Sequence, residues 1–283
     1  AGTVGLSLLD ISTGEFLIAE GDIEYTAKLL DNFSPNEVLI TKENKKHFVK
    51  SYSDSFNLFF LDDWVFNLDY ANDLLKKQFE TSSLKGFGID DLNNGIISSS
   101  AIMHYLNETQ HERLNHITSI KRIPKEGHVW LDRFTIRNLE LFRPNSVEGK
   151  CLIDVIDQTS SPMGGRLLKR WVALPSCDKE VIISRHNIVE FLISDEKTNE
   201  LIHNVISKLS DIERLTSKLA TKKINPREIF SLKHSVELIE NLKSDISKTE
   251  CMELNHLIHS IENCTDFISK VSHTLNSDPP VSI

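Results

Sequence analysis

Val4, Leu6 and Leu8 alternate with smaller or polar neighbours, the period of a strand that buries one face. Ser12-Thr13-Gly14 supplies turn chemistry and 15–19 returns as a second strand, so the chain opens as a β-hairpin. A helical pattern follows over 24–33 and is broken at Ser34-Pro35-Asn36. Residues 37–41 are strand-like, 42–52 fit a helix, and 56–61 are strand-like again. Helices are expected over 68–79 and 96–106, with the Gly86-Phe87-Gly88 loop between them. This order predicts an α/β layer structure containing parallel strand pairs. The first domain is expected to close near 107–118, followed by extended segments at 117–123 and 128–131.

From Asp132 onward helical periodicity takes over. Leu201, Val205, Leu209, Ile212, Leu215 and Leu219 fall on one side of a helix. Asn225-Pro226-Arg227-Glu228 is a helix start, with Asn as N-cap, Pro in the first turn and Glu three residues after the cap. Ile229, Leu232, Val236 and Ile239 make that helix's apolar face, and a further stripe runs through Leu254, Leu257, Ile258, Ile261 and Ile268. No repeat period connects these helices, and the second half is expected to be all-α.

The chain's 283 residues leave room for about two domains, and 40% hydrophobic residues suffice for substantial cores. Ala1 at one end and Pro279-Pro280-Val281-Ser282-Ile283 at the other look cut rather than natural. No basic n-region with an apolar h-region opens the sequence, so no secretory signal is expected, and no run nears the roughly 18 apolar residues of a membrane span. Cys151, Cys177, Cys251 and Cys264 form no CxxC pair, which points to reduced thiols and a cytoplasmic protein with no membrane partner. Charge alters the picture more. Residues 1–118 carry 9 Lys and Arg against 18 Asp and Glu, whereas 119–283 carry 23 of each. An acidic first half repels a phosphate backbone and a neutral second half offers no basic footprint, so these residues are not expected to grip DNA on their own.

Candidate chemistry is sparse. Pro162-Met163-Gly164-Gly165-Arg166 lacks the Lys-Ser/Thr that must follow a phosphate-cradling loop, so no ATP site is expected. Cys251, His256, His259 and Cys264 have a zinc-like C-x4-H-x2-H-x4-C spacing but scatter over more than half of a helix, with both histidines opposite the leucine stripe on a solvated face. A two-metal nuclease of ribonuclease-H-like fold would use Asp10 at the end of the first strand, with Asp62-Asp63 and Asp90-Asp91 as partners. Asp before a turn ordinarily bonds nearby backbone, and no basic groove is visible, so solvated carboxylates are the stronger reading. Arg166, Lys169 and Arg170, opposite Leu167, Leu168 and Trp171, would suit phosphate or an acidic partner; a solvated amphipathic face is preferred. No Ser-His-Asp or Cys-His arrangement is present with a local signature.

Five collinear segments resemble the MutS family of DNA mismatch-repair proteins: GLSLLDISTGEF at 5–16, GFGIDD at 86–91, IRNLEL at 136–141, SPMGGRLLKRWVALP at 161–175 and RLTSKLATKKINPREI at 214–229. The resemblance covers essentially the whole chain. It implies a connector domain of ribonuclease-H-like mixed α/β fold over 1–118, followed by the first part of the all-α core and lever over 119–283. It further implies a chain that is not an enzyme and has no catalytic, cofactor-binding or metal residues, since the ATPase with its ATP and Mg²⁺, the mismatch-reading domain and the clamp would lie outside it. The expected role is to couple mismatch recognition to the ATPase, with 107–131 as a hinge, and to offer MutL a docking surface on the acidic domain. Mismatched DNA and a homodimer partner would be met mostly through parts absent here. A connector argues against the Smr-bearing paralogue, and the lack of long insertions favours a bacterial origin. The alternative function is a metal-dependent nuclease using Asp10.

Overall fold

Leu17 and Leu8 can face each other only if the hairpin turn is tight, and it is. In the computed structural model β1 (Val4–Asp10) and β2 (Glu15–Gly21) pair antiparallel from Val4 opposite Gly21 to Asp10 opposite Glu15. Gly14 closes the turn at φ 75°, and a Cβ there would come within 2.8 Å of the His116 carbonyl oxygen, so glycine is required twice over. The structure describes residues 2–33, 35–52, 56–109, 114–124, 127–129, 131, 133–246, 249–276 and 279–280. The expected breaker at Ser34, the start of the helical half at Asp132, parts of 107–131 and the last three residues thus lie wholly or partly outside the described residues. Packing divides the chain into Ala1–Glu126 with Trp130–Glu140, and Gly127–Val129 with Leu141–Ile283.

In the first unit β5 (Lys121–Arg122) joins β2 in parallel, giving a mixed sheet in the order β1-β2-β5. After α1 (Ile23–Phe33), the segment β3 (Val38–Thr41), α2 (Lys45–Ser51) and β4 (Leu58–Leu61) forms a β-α-β unit whose strands run parallel, Val38 opposite Leu58 through Thr41 opposite Leu61. Among the described residues this pair hydrogen-bonds as a sheet of its own. A 3-10 turn (Asp63–Phe66), α3 (Leu68–Gln78) and α4 (Asn93–Glu108) follow, and α5 (Arg133–Asn138) packs on α1. The expected α/β character is therefore present, with both antiparallel and parallel pairs.

Small residues bring α4 close to β1. A Cβ on Gly5 would overlap the Asn94 carbonyl at 2.0 Å, and one on Gly95 would meet Ile18 at 2.8 Å. Ser7 Oγ lies 2.8 Å from Ser98 Oγ and 2.6 Å from Ser99 Oγ, hydroxyls that satisfy one another in the seam. Leu92, at the N-cap of α4, provides no side-chain bond; Glu20 of β2 accepts instead from the backbone N–H groups of Asn94 and Gly95 at 2.8 and 3.0 Å. Behind this seam Phe16, Ile18, Leu75, Ile89, Ile96 and Met103 build the core.

Residues 114–123, which lie inside the expected hinge, pack with the first unit. Leu114, Ile117, Ile120 and Ile123 are buried in the first unit, and Gln78 of α3 donates to the carbonyls of Leu114 and Ile117 at 2.9 and 3.0 Å. An apolar residue at every third position anchors this segment.

The second unit is helical, as expected: α6 (Leu152–Ile156), α7 (Pro162–Ala173), α8 (Lys179–Ser194), α9 (Glu196–Ile206), α10 (Ile212–Ala220), α11 (Pro226–Ile246), α12 (Met252–His259) and α13 (Thr265–Thr274). Gly127–Val129 runs beside 175–177, with a bridge between His128 and Ser176. Two expected single stripes are each divided. The 201–219 pattern stops after Ile206 and restarts at Ile212, because the Ser210 N–H donates to Ser235 Oγ on α11 at 3.0 Å and Asp211 caps α10. The 254–268 pattern breaks at Ser260–Cys264, where Glu240 of α11 accepts the Cys264 N–H at 2.6 Å and Lys243 donates to Asn263 at 2.8 Å. Leu257 and Ile261 consequently point outward, while Leu254 and Ile258 join Ile246 and Cys251 in the core. The capping box expected at Asn225 and Glu228 is present in both directions, at 3.0 and 2.9 Å. No helix among the described residues is long and apolar enough to cross a membrane.

Candidate functional site

Asp10, the last residue of β1, is exposed and spends one carboxylate oxygen on its own turn, accepting from the Ser12 N–H at 2.8 Å and the Ser12 hydroxyl at 2.7 Å. Asp91 binds Arg122 of β5, each of its oxygens 2.9 Å from the same guanidinium nitrogen. Asp62 and Asp63 flank the start of the 3-10 turn, exposed, and Asp62 makes no capping bond there. Paired metal ions about 4 Å apart need several carboxylates on one centre. Among the described residues no three His, Cys, Asp or Glu side chains are so placed. The same holds for the zinc-like spacing: Cys251 is buried in the α11–α12 core while His256, His259 and Cys264 are exposed.

The Gly164-Gly165 pair of α7 serves clearance. A Cβ on either would press to 3.3 Å against Thr159. Ser161 caps the helix by accepting the Gly164 N–H at 3.2 Å, with Pro162 next in the first turn. An anion approaching here would meet Asp157, whose carboxylate accepts from the Thr159 hydroxyl and N–H at 2.7 and 3.2 Å. Those bonds hold its pKa below the usual carboxylate value, so it is charged at neutral pH.

Arg166 departs from the expected solvated face. Its guanidinium grips Asp211 with two bonds, Nη1 to Oδ2 at 2.9 Å and Nη2 to Oδ1 at 2.7 Å, and its Nε donates to Glu213 Oε2 at 2.9 Å. The planar fork suits this two-carboxylate clamp as an ammonium would not. Asp211 also accepts the Arg214 N–H as N-cap of α10, so one carboxylate starts that helix and ties it to α7. Hydrogen bonds from Arg166 lower the Asp211 pKa, outweighing the burial that raises it. Lys169 and Arg170 are exposed, as expected. Trp171 is capped by Arg185 of α8, the guanidinium carbon 3.7 Å from the ring centre.

A second cluster, on the first unit, escaped the sequence. Tyr70 Oη is 2.8 Å from His104 Nδ1, and His104 Nε2 is 3.3 Å from Glu108 Oε1. Trp64 packs edge-on to both rings, at 5.3 Å from Tyr70 and 5.1 Å from His104. Burial, with Glu108 nearby, raises the Tyr70 phenol above its ordinary pKa, so it remains a donor at neutral pH. The four-residue step from His104 to Glu108 on a helix was a readable signal for part of this cluster.

A family model of MutS domain II matches residues 1–118 and one of MutS domain III matches residues 134–283. Three relatives each named DNA mismatch repair protein MutS cover nearly all of the chain. That of Flavobacterium psychrophilum is 47% identical over 280 residues, taking in 99% of this chain and 32% of the relative. That of Christiangramia forsetii is 49% identical over 280 residues, with the same 99% and 32%. That of Bacteroides fragilis is 42% identical over 279 residues, again 99% and 32%. The chain thus spans about a third of the length of the curated relatives it matches.

Proposed function

Because this chain belongs to the MutS family, matching its domains II and III in order, we propose that it is the non-catalytic coupling and docking part of a DNA mismatch repair protein. In this reading residues 1–118 are the connector and 119–283 the first part of the helical core. They relay mismatch recognition to an ATPase that binds ATP and Mg²⁺ outside these residues. Relay requires helices that move as bodies rather than bend individually. The Arg166 clamp between α7 and α10 supports this role. Mismatched DNA and a second copy of the protein are met chiefly through other parts of the relatives' longer chains. The four unpaired cysteines suit a cytoplasmic protein.

MutL is the partner for the connector. The observation that carries this docking role is the charge of the matched domain II region, 9 cationic against 18 anionic side chains over 1–118. Such an excess steers a basic partner into register and raises the association rate. The experiment is a titration of the 283-residue chain with MutL at low and high salt. Binding that weakens as salt rises is expected; no salt-sensitive binding at any accessible concentration would remove the electrostatic docking role.

A further inference from the structure

The acidic total of residues 1–118 conceals one stretch of the opposite sign. Lys42, Lys45, Lys46 and Lys50 fall within nine residues that hold a single acid, Glu43. The segment thus takes four of the 9 cations and one of the 18 anions, a local charge of +3, leaving 5 against 17 for the rest of 1–118. Local structure gathers these lysines. Thr41 ends β3 and its hydroxyl accepts the Asn44 N–H at 3.3 Å, so the chain turns at once into α2. Phe48, 7% exposed, anchors that helix from below, stacked on Tyr52 at 4.7 Å and edge-on to Phe56 at 6.1 Å. All four lysines are exposed, and Lys46 and Lys50 stand one helical turn apart.

These charges have no local counter-charge. Lys28 of α1 pairs with Glu24 at 2.8 Å, whereas none of the four has a carboxylate within ion-pair distance among the described residues. Lys45 lies over the Phe60 ring, 5.6 Å from its centre, a contact that leaves the ammonium charge intact. With Phe48 buried beneath and Lys45 over Phe60, the patch presents charge rather than an apolar anchor. A protein partner binds tightly through a buried anchor; a phosphodiester backbone needs only cations at the surface. Lysine meets phosphate as a point charge, without a base-reading fork. The acids elsewhere in the domain do not cancel this, because at physiological salt their fields fade over about 8 Å.

We propose that the lysine patch of 42–50 is a contact for the phosphodiester backbone of duplex DNA, independent of base sequence and driven by counterion release. This rests on the reading of the chain as part of a DNA mismatch repair protein and adds a weak grip in its otherwise acidic domain. The test is fluorescence anisotropy of a labelled duplex of about 20 base pairs, titrated with the 283-residue chain between about 30 and 200 mM salt. The parent is compared with Lys46→Glu/Lys50→Glu and with Lys77→Glu/Lys85→Glu, which changes net charge equally at two exposed lysines outside the patch. The parent is expected to bind two unrelated duplex sequences equally, with log affinity falling against log salt at a slope of about −3 to −4. The Lys46/Lys50 variant loses at least about tenfold in affinity at the lowest salt and about two units of that slope. The control stays within about threefold of the parent.

A parent chain that leaves the duplex free at the lowest salt overturns the proposal. So does a Lys46/Lys50 variant that binds as the parent does, since cations elsewhere would then hold the DNA. A control that loses as much as the patch variant makes net charge responsible and overturns it too. Poly-glutamate that competes as well as unlabelled duplex at equal charge would assign the patch to an acidic protein segment instead of DNA. Should the glutamate variant lose the parent's thermal transition, Lys46→Gln/Lys50→Gln decides, with the same loss of about two units of slope expected. The MutL titration separates this from the docking role: MutL binding without duplex binding removes the patch alone, and the reverse removes the docking alone.

Discussion

Arg166 shows how a single side chain was half legible. Its place among Lys169 and Arg170 on one helical face could be read from spacing. Its partners, Asp211 and Glu213, lie 45 and 47 residues away on another helix and carry no local signal. Arg166→Ala is expected to cost about 2 kcal/mol at neutral pH, the range for hydrogen bonds to charged groups, with Arg166→Lys recovering only part of it. The penalty has a pH signature. The Asp211 pKa is lowered on folding by Arg166, so the stability it contributes is complete above the ordinary value of 3.8 and is lost as pH falls through the lower folded value. Urea unfolding of parent and variant from pH 7 downward checks this: the gap between them should narrow only below about pH 4, and a gap that narrows from pH 7 to 5 instead would point to another group. Asp10 was the opposite case, a residue whose ordinary role was already the stronger reading. With one oxygen committed to Ser12, Asp10→Ala is expected to cost about 1 kcal/mol of stability. No Mn²⁺-dependent cleavage of single-stranded, duplex or hybrid substrates should distinguish parent from variant. Cleavage abolished by the substitution would restore the nuclease.

At the scale of elements, the hairpin, the β-α-β unit and the long helices were legible because alternation and 3.6-residue periodicity are local properties. The breaks were not. The pattern over 201–219 keeps one apolar face across a stop at Ser207–Asp211, since two successive helices can present collinear stripes to one core. Asp211 caps α10, and the residue before it is held by a buried hydroxyl on α11: Ser235, 1% exposed, accepts the Ser210 N–H and donates to the Ser231 carbonyl, both at 3.0 Å. Ser235→Ala leaves that partly buried N–H without its acceptor, an expected cost of about 1–2 kcal/mol. Thermal unfolding reads the total. Hydrogen exchange at Ser210 separates it from a simple packing defect, because only loss of the specific bond speeds that amide more than its neighbours in α11. The contact of β1 with α4 is a similar case. Gly5 and Gly95 were visible as glycines, but only the packed structure assigns them to a close approach rather than to turns, and only there does Glu20 emerge as the missing cap of α4.

Over the whole molecule the informative contrast is between the two cores. The first unit buries Phe16, Ile18, Leu75, Ile89, Ile96 and Met103 against a sheet that joins an N-terminal hairpin to β5, about a hundred residues later. The second relies on thinner contacts: α8 has no fully buried residue, and Ile193 and Met252 are 77% and 79% exposed. Stability follows the apolar area removed from water, at about 25 cal/mol per Å², so the helical unit should open first. Separate cores also predict two unfolding transitions rather than one. Ile18→Ala removes a completely buried side chain and should move the later transition by the equivalent of about 3 kcal/mol, leaving the earlier one in place. Leu254→Ala, in the α11–α12 core, should do the reverse. Denaturant unfolding followed by hydrogen exchange is the direct measurement, with α8 amides exchanging early and α4 amides late. Matching shifts of a single transition in both variants would mean that the units fold as one, and the proposed coupling would then have to run through a common core.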